Sequence, residues 1–162
     1  FILSALSCYT ATEELIDRIL VRNRIPQKEQ EQILAYIAGQ REMMDKILLH
    51  SSVTEEIPAL GREEFEQFPM RLSLSGMFYE KDIFYTWEEY QEHLEQIRAY
   101  RKMHPGYTVT ENTISAFRNI QIYIHEKKWV MVSKNKAPAI HFLIQHPKMQ
   151  SAFENMVIPI VE

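Results

Sequence analysis

The sequence predicts an α+β fold in which an N-terminal helical hairpin packs on a mixed β-sheet unit with helices. Apolar residues recur at helical spacing in the first half of the chain. After Pro69, several segments alternate apolar and polar residues with a period of two, which is typical of strands. We therefore predict a helical hairpin and linker region over residues 1–68 and an α+β domain over residues 69–162.

Two helices and a linker are predicted in the first region. Thr10 and Glu13 fit a capping box, which places the start of the first helix there. Pro26 can open the second helix, because a missing N–H costs nothing in the first turn. An apolar stripe carries this second helix to about Leu49. Residues 51–68 are predicted as short helical turns.

The second region is predicted to alternate strands and helices. Thr86 and Glu89 form a second capping box, which opens a helix to about Met103. The helix between the first two strands implies that they pair in parallel, whereas the third and fourth strands form an antiparallel hairpin. The predicted elements are a strand at 70–76, the helix from 86, a strand at 107–109, a short helical turn at 113–117, the hairpin strands at 120–125 and 129–132, a strand at 139–144, and a helix from Pro147.

Composition favours an intracellular globular chain. Of 162 residues, 46% are hydrophobic and 25% are charged, which argues against disorder. No segment approaches the roughly 20 consecutive apolar residues that span a bilayer, so we expect no membrane contact. The single cysteine, Cys8, cannot form an intrachain disulfide, which favours a cytoplasmic location. Because the chain does not begin with Met, we expect it to be part of a longer protein.

The sequence carries no recognisable catalytic or metal motif. Six histidines occur, but no two of them are one helical turn apart, the spacing at which a pair of His on a helix ligates zinc. Cys8 has no basic partner nearby in sequence that would activate it as a nucleophile. We therefore predict no catalytic residues, no metal site and no cofactor. A hydrolase or transferase with an unrecognised site is the alternative, and it predicts a pocket where a His and a carboxylate converge.

Charge is distributed unevenly along the chain. Residues 115–150 carry six Lys and Arg against one Glu, although the whole chain has a net charge of −4. If strands 120–125 and 129–133 form a hairpin, Arg118 lies beside Lys134, and such a cationic cluster can bind a carboxylate or phosphate. An ordinary basic loop is the alternative. The predicted ligand-binding residues are Arg118, Asn119, Lys134, Asn135, Lys136 and His141.

Two runs of sequence resemble the C-terminal region of bacterial helix-turn-helix transcription regulators. They are Phe117 to Lys148, with Trp-Val-Met-Val-Ser-Lys-Asn-Lys-Ala-Pro-Ala-Ile-His-Phe at its centre, and Tyr85 to Tyr90. In this group an Xre-like DNA-binding domain precedes a regulatory part. The resemblance implies a regulatory region that senses a small ligand, dimerises, or does both. DNA would be bound only by a separate N-terminal domain that is absent from these 162 residues.

The expected partners follow from this interpretation. We expect a small anionic ligand at the cationic cluster and a homo-oligomer formed through the long helix that begins near Pro26. A pure protein-interaction module is a further alternative. It predicts an exposed apolar stripe on that helix and no pocket.

Overall fold

The computed structural model describes residues 4–67, 69–74, 81–112, 120–125, 128–134 and 140–161. These residues confirm the predicted α+β class. In chain order the elements are β1 (Ser4–Ser7), a short 3-10 turn (Cys8–Thr10), α1 (Glu13–Arg22), α2 (Gln27–His50), β2 (Val53–Pro58), α3 (Arg62–Gln67), β3 (Met70–Ser73), α4 (Trp87–Met103), β4 (Tyr107–Asn112), β5 (Ile120–His125), β6 (Trp129–Lys134), β7 (Ile140–Ile144) and α5 (Pro147–Val161).

The strands form two sheets. The larger sheet has five strands in the order β4-β2-β5-β6-β7, and the smaller sheet pairs β1 with β3 in parallel. In the larger sheet β2 and β4 are parallel, while the other neighbours are antiparallel. This mixture confirms the predicted mixed sheet. The predicted hairpin is also confirmed, with Ile120 opposite Lys134 at one end and His125 opposite Trp129 at the other.

The linker prediction is wrong over residues 53–58. These residues form β2, which lies between β4 and β5, although α3 does place a helical turn later in the same linker. Val53, Glu55 and Ile57 alternate inward and are all buried. A glutamate at the middle inward position conceals the apolar alternation that identifies a strand. Long-range pairing therefore decides this element, and local pattern does not.

The predicted parallel pairing of the strands on either side of α4 is also wrong. β4 takes β2 as its parallel neighbour, while β3 pairs with β1. The chain after β3 closes back on it, because the Leu72 N–H donates to the Ile83 carbonyl at 2.8 Å and the Tyr85 N–H donates to the Met70 carbonyl at 3.0 Å. The β3 backbone therefore pairs with β1 on one side and with residues 83–85 on the other, and not with the larger sheet.

The helix starts follow capping chemistry. Thr86 and Glu89 form the predicted capping box at α4. At α1 the prediction is shifted by two residues, because the Thr12 side chain accepts the Leu15 N–H and Thr10 lies in the buried 3-10 turn. Helix α2 begins after Pro26 and ends at His50, close to the predicted bounds.

Both sheets contain strands from each side of the boundary predicted at residue 68. β1 and β2 precede it, whereas β3 and β4 follow it. One large core packs under α1, α2 and α4, and a smaller cluster around Ile124 and Val130 packs against Phe153 of α5. No helix in the described part of the chain has the length and apolar composition that crossing a membrane requires.

Candidate functional site

A cavity of about 170 Å³ lies between α2, the 3-10 turn and the larger sheet. Its volume is comparable to that of an engineered apolar cavity of about 150 Å³ that stays dry and binds benzene. A molecule of about that size therefore fits without any large movement of the walls. The lining residues are Ser7, Cys8, Tyr9, Gln40, Met43, Met44, Ile47, Val53, Trp129 and Met131.

Helix α2 forms one wall of this cavity. Gln40, Met43, Met44 and Ile47 stand at positions i, i+3, i+4 and i+7, which lie on one face of a helix. Met44 is buried, whereas Met43 is 47% exposed and marks the side where the cavity approaches the surface. The second half of α2 thus presents three apolar side chains and one amide to the cavity.

The sheet and the 3-10 turn form the facing wall. Val53 pairs with His125 across β2 and β5, and His125 pairs with Trp129 across β5 and β6, so these three residues form one row across the sheet. The rings of His125 and Trp129 contact each other edge to face, with their centroids 5.1 Å apart. Met131 follows Trp129 by two residues and shares its face of the sheet. Three strands therefore set the shape of this wall.

The described walls of the cavity carry no charge. Among the described residues that line it there is no Asp, Glu, Lys, Arg or His. Cys8 is buried, and this burial raises the pKa of its thiol to about 12. A thiol in that state is a weak nucleophile at neutral pH and behaves as a small apolar group. The arrangement suits binding of an uncharged molecule.

A buried carboxyl group, Glu55, is held beside the cavity by three hydroxyl groups. Ser7 Oγ donates to Oε1 at 2.7 Å, Tyr107 donates to Oε2 at 2.9 Å, and Tyr9 also donates to Oε2. Burial raises the pKa of Glu55, and the hydrogen bonds from Tyr9, Ser7 and Tyr107 oppose this shift. Ser7 and Tyr9 line the cavity as well, so the carboxyl group fixes two of the cavity side chains.

A second buried polar group, His93, lies between Thr10 and Tyr85. Thr10 Oγ1 is 2.9 Å from Nε2, and the Tyr85 hydroxyl is 2.7 Å from Nδ1. Thr10 donates its single hydroxyl hydrogen to the Ser7 carbonyl, so its oxygen must accept the hydrogen of Nε2. Nδ1 then accepts from Tyr85. Burial lowers the pKa of His93 to about 3, in agreement with a neutral ring.

These two buried groups do not form a catalytic pair. His93 and Glu55 bond to different side chains, and neither is among the residues that line the cavity. The described residues also contain no group of three or more His, Cys, Asp or Glu side chains that is able to hold a metal ion. The convergence that the enzyme alternative predicts is therefore not found in this part of the chain.

The predicted anion-binding residues are only partly described. Arg118, Asn119, Asn135 and Lys136 lie outside the described residues. Lys134 ends β6, opposite Ile120, and His141 is exposed on β7, opposite Ser133. The confirmed hairpin brings the start of β5 to the end of β6, as the site requires. The site itself stays a prediction.

Sequence reasoning missed the cavity because its walls come from distant segments. One signal was present: Ile33, Ile37, Met44 and Ile47 follow a helical stripe, and Gln40 occupies the place in it where another apolar residue is expected. A comparison of the chain with family models, with curated proteins and with solved structures found no match. Function is therefore inferred from the geometry of the site and from the sequence resemblance.

Proposed function

We propose that this chain is the regulatory part of a bacterial transcription regulator and that it senses a small uncharged molecule in the cavity beside α2. The observation that carries the proposal is the neutral, mostly apolar cavity of about 170 Å³. Concave apolar sites with few polar groups are the usual form of small-molecule sites. The resemblance to regulator C-terminal regions supports the regulatory role, with DNA bound by a separate N-terminal domain and a cytoplasmic location.

The position of α2 supports a sensing role. The same helix face that lines the cavity continues toward Ile33 and Ile37, which are buried against the core. A ligand that contacts both α2 and the sheet favours the arrangement in which these walls are packed together. A ligand carries a regulatory signal only if it binds one arrangement of the protein more tightly than another. We propose homo-oligomerisation through α2 as the route by which the signal reaches the DNA-binding domain.

The test is thermal unfolding with toluene, a neutral probe of suitable size. We expect toluene to raise the Tm of the wild-type chain in a saturable manner, with a Kd between about 10 μM and 1 mM for so small a ligand. Ile47→Trp fills the cavity from α2 and should abolish the shift. Leu49→Trp is the matched control, because Leu49 is 75% exposed on the same helix and does not line the cavity.

A shift of equal size in Ile47→Trp and Leu49→Trp would place toluene elsewhere and contradict the proposal. Absence of any shift in the wild type would contradict it directly. Circular dichroism of both variants checks that each has folded. Light scattering on the same samples tests the oligomeric state.

A second candidate, an anionic ligand at the outer end of the β5–β6 hairpin, is favoured by the register that places Lys134 opposite Ile120. We propose that Arg118, Lys134 and Lys136 bind a carboxylate or phosphate there. A thermal shift with citrate or phosphate that is lost in Lys134→Ala and kept in Lys128→Ala would support it. Equal shifts in the two variants would count against it.

A further inference from the structure

We infer that the ligand of the α2 cavity is a single-ring aromatic molecule that carries one hydroxyl group, and that Gln40 binds this group. The inference rests on the proposed function and names the ligand class of the same site. It follows from three properties of the described cavity walls: the position of the Gln40 amide, the hydrogen bonds of the Ser7 and Tyr9 hydroxyl groups, and the sulfur atoms.

Gln40 is a polar exception in an apolar helix face. It stands between Ile37 and Met44, at the 4-3 spacing that otherwise carries buried or half-buried apolar residues. Its side chain is half-buried and lines the cavity. Within the residues that the structure describes, the Gln40 amide forms no hydrogen bond. Gln40 therefore brings to the cavity wall an amide that can both donate and accept a hydrogen bond.

The other polar side chains of the wall already have a fixed role. Ser7 and Tyr9 each donate their hydroxyl hydrogen to the buried Glu55. Among the described lining residues, Gln40 is thus the side chain whose donor and acceptor groups both have no hydrogen-bond partner. A ligand that displaces water from this amide without replacing its hydrogen bond leaves a polar group unpaired, which is unfavourable. One hydroxyl group on the ligand removes that cost.

The size and the walls of the cavity favour an aromatic ring. A volume of about 170 Å³ leaves room for a six-membered ring and a small substituent. Met43, Met44 and Met131 contribute thioether sulfur atoms to the walls. Thioether sulfur makes favourable contacts with aromatic rings, and its flexible side chain adapts to a flat ligand. Trp129 offers a further ring for edge-to-face or offset packing.

The test compares phenol with toluene, two probes of nearly equal size that differ in one hydroxyl group. Affinities are measured by calorimetry for the wild type, for Gln40→Met and for Gln32→Met. Gln32 is exposed on the same helix and does not line the cavity, so Gln32→Met is the matched control. We expect the phenol-to-toluene affinity ratio to fall about tenfold in Gln40→Met and to stay unchanged in Gln32→Met.

The possible outcomes separate this inference from the proposed function. If toluene and phenol bind the wild type and Gln40→Met leaves their ratio unchanged, the ligand assignment is overturned and the cavity remains a site. If neither probe binds the wild type, both the assignment and the proposed function are overturned. Gln40→Leu provides a second variant if Gln40→Met does not fold, with circular dichroism as the check.

Discussion

Individual buried polar residues show how this fold controls ionisation. Glu55 and His93 are both buried, and each forms its side-chain hydrogen bonds with hydroxyl groups. Burial disfavours the charged form of both, so it raises the pKa of the carboxyl group and lowers that of the imidazole. The 3-10 turn connects the two groups, because Tyr9 donates to Glu55 and Thr10 bonds to His93.

Neutral His93 should make stability depend on pH. Its pKa is lowered to about 3 in the folded chain, whereas an unfolded His has a pKa of about 6.5. Below about pH 6.5 His93 binds a proton in the unfolded chain but stays neutral in the folded chain. The contribution of His93 to the free energy of unfolding is therefore complete above that pH. It is lost as the pH falls toward 3, and about 2 kcal/mol is lost at pH 5.

Urea unfolding at pH 7.5 and pH 5 measures this effect. We expect His93→Gln to lower the free energy of unfolding at both pH values. The wild-type difference in this free energy between pH 7.5 and pH 5 should shrink by about 2 kcal/mol in the variant. His146→Gln, at an exposed position, should retain the wild-type difference. An unchanged difference in His93→Gln would show that this ring does not control the pH dependence.

Glu55 should be required for stability although it carries a desolvation cost. Glu55→Ala removes the acceptor for Ser7, Tyr9 and Tyr107 and opens a void in the core, so we expect a loss of about 3–5 kcal/mol in the free energy of unfolding. Glu66→Ala is the control, since its exposed ion pair on α3 is worth less than about 1 kcal/mol. Similar losses in the two variants, measured by urea unfolding, would contradict this role.

At the scale of elements, local pattern and long-range pairing determine different parts of the fold. Helices α2 and α4, the β5–β6 hairpin and α5 lie close to their predicted bounds, because periodicity, caps and Pro positions specify them locally. β1 has four residues, and β2 places Glu55 at its buried centre. Their partners follow more than 45 residues later, so no local pattern could identify them.

Two glycines should respond oppositely to the same substitution. A Cβ on Gly106 would lie 2.6 Å from the Ser51 carbonyl oxygen, at the point where the Gly106 carbonyl accepts the Val53 N–H and aligns β2 with β4. Gly106→Ala should therefore cost about 1–3 kcal/mol. Gly39 lies in the interior of α2 with nothing within 4 Å of such a Cβ, so Gly39→Ala should stabilise by about 0.5–1 kcal/mol.

Denaturant unfolding of the two glycine variants, compared with the wild type, gives both free energies. Stabilisation by Gly106→Ala would show that the approach of the α2 end to this turn is looser than the structure indicates. Destabilisation by Gly39→Ala would show that Gly39 has a packing role in an oligomer, which light scattering would reveal.

At the scale of the whole molecule, the candidate site depends on how the elements assemble. The sequence could indicate that Gln40 and Met44 share a helix face, but it could not indicate that Cys8, Val53 and Trp129 face them. Those contacts require β1 to pair with β3 and β2 to pair with β5. The cavity is therefore a property of the tertiary structure, whereas the hairpin that supports the predicted anion site could be derived from local alternation.

The same assembly bears on whether residues 69–162 fold alone. That fragment would lack β1, the partner of β3, and β2, which joins β4 to β5 in the larger sheet. It would also lose the buried Val53 and Ile57 and the hydroxyl partner that Thr10 provides to His93. Without β2, β4 has no described neighbour in its sheet, and its backbone groups lose their partners.

We therefore expect the fragment 69–162 to show no cooperative thermal unfolding and to bind dyes specific for exposed apolar surface. The full chain should unfold in one transition by both circular dichroism and Trp fluorescence. Mixing the fragment with residues 1–68 should restore cooperative unfolding, because the two sheets then regain their missing strands. A fragment that unfolds cooperatively alone, with a midpoint near that of the full chain, would show that the division at residue 68 separates two independent folding units.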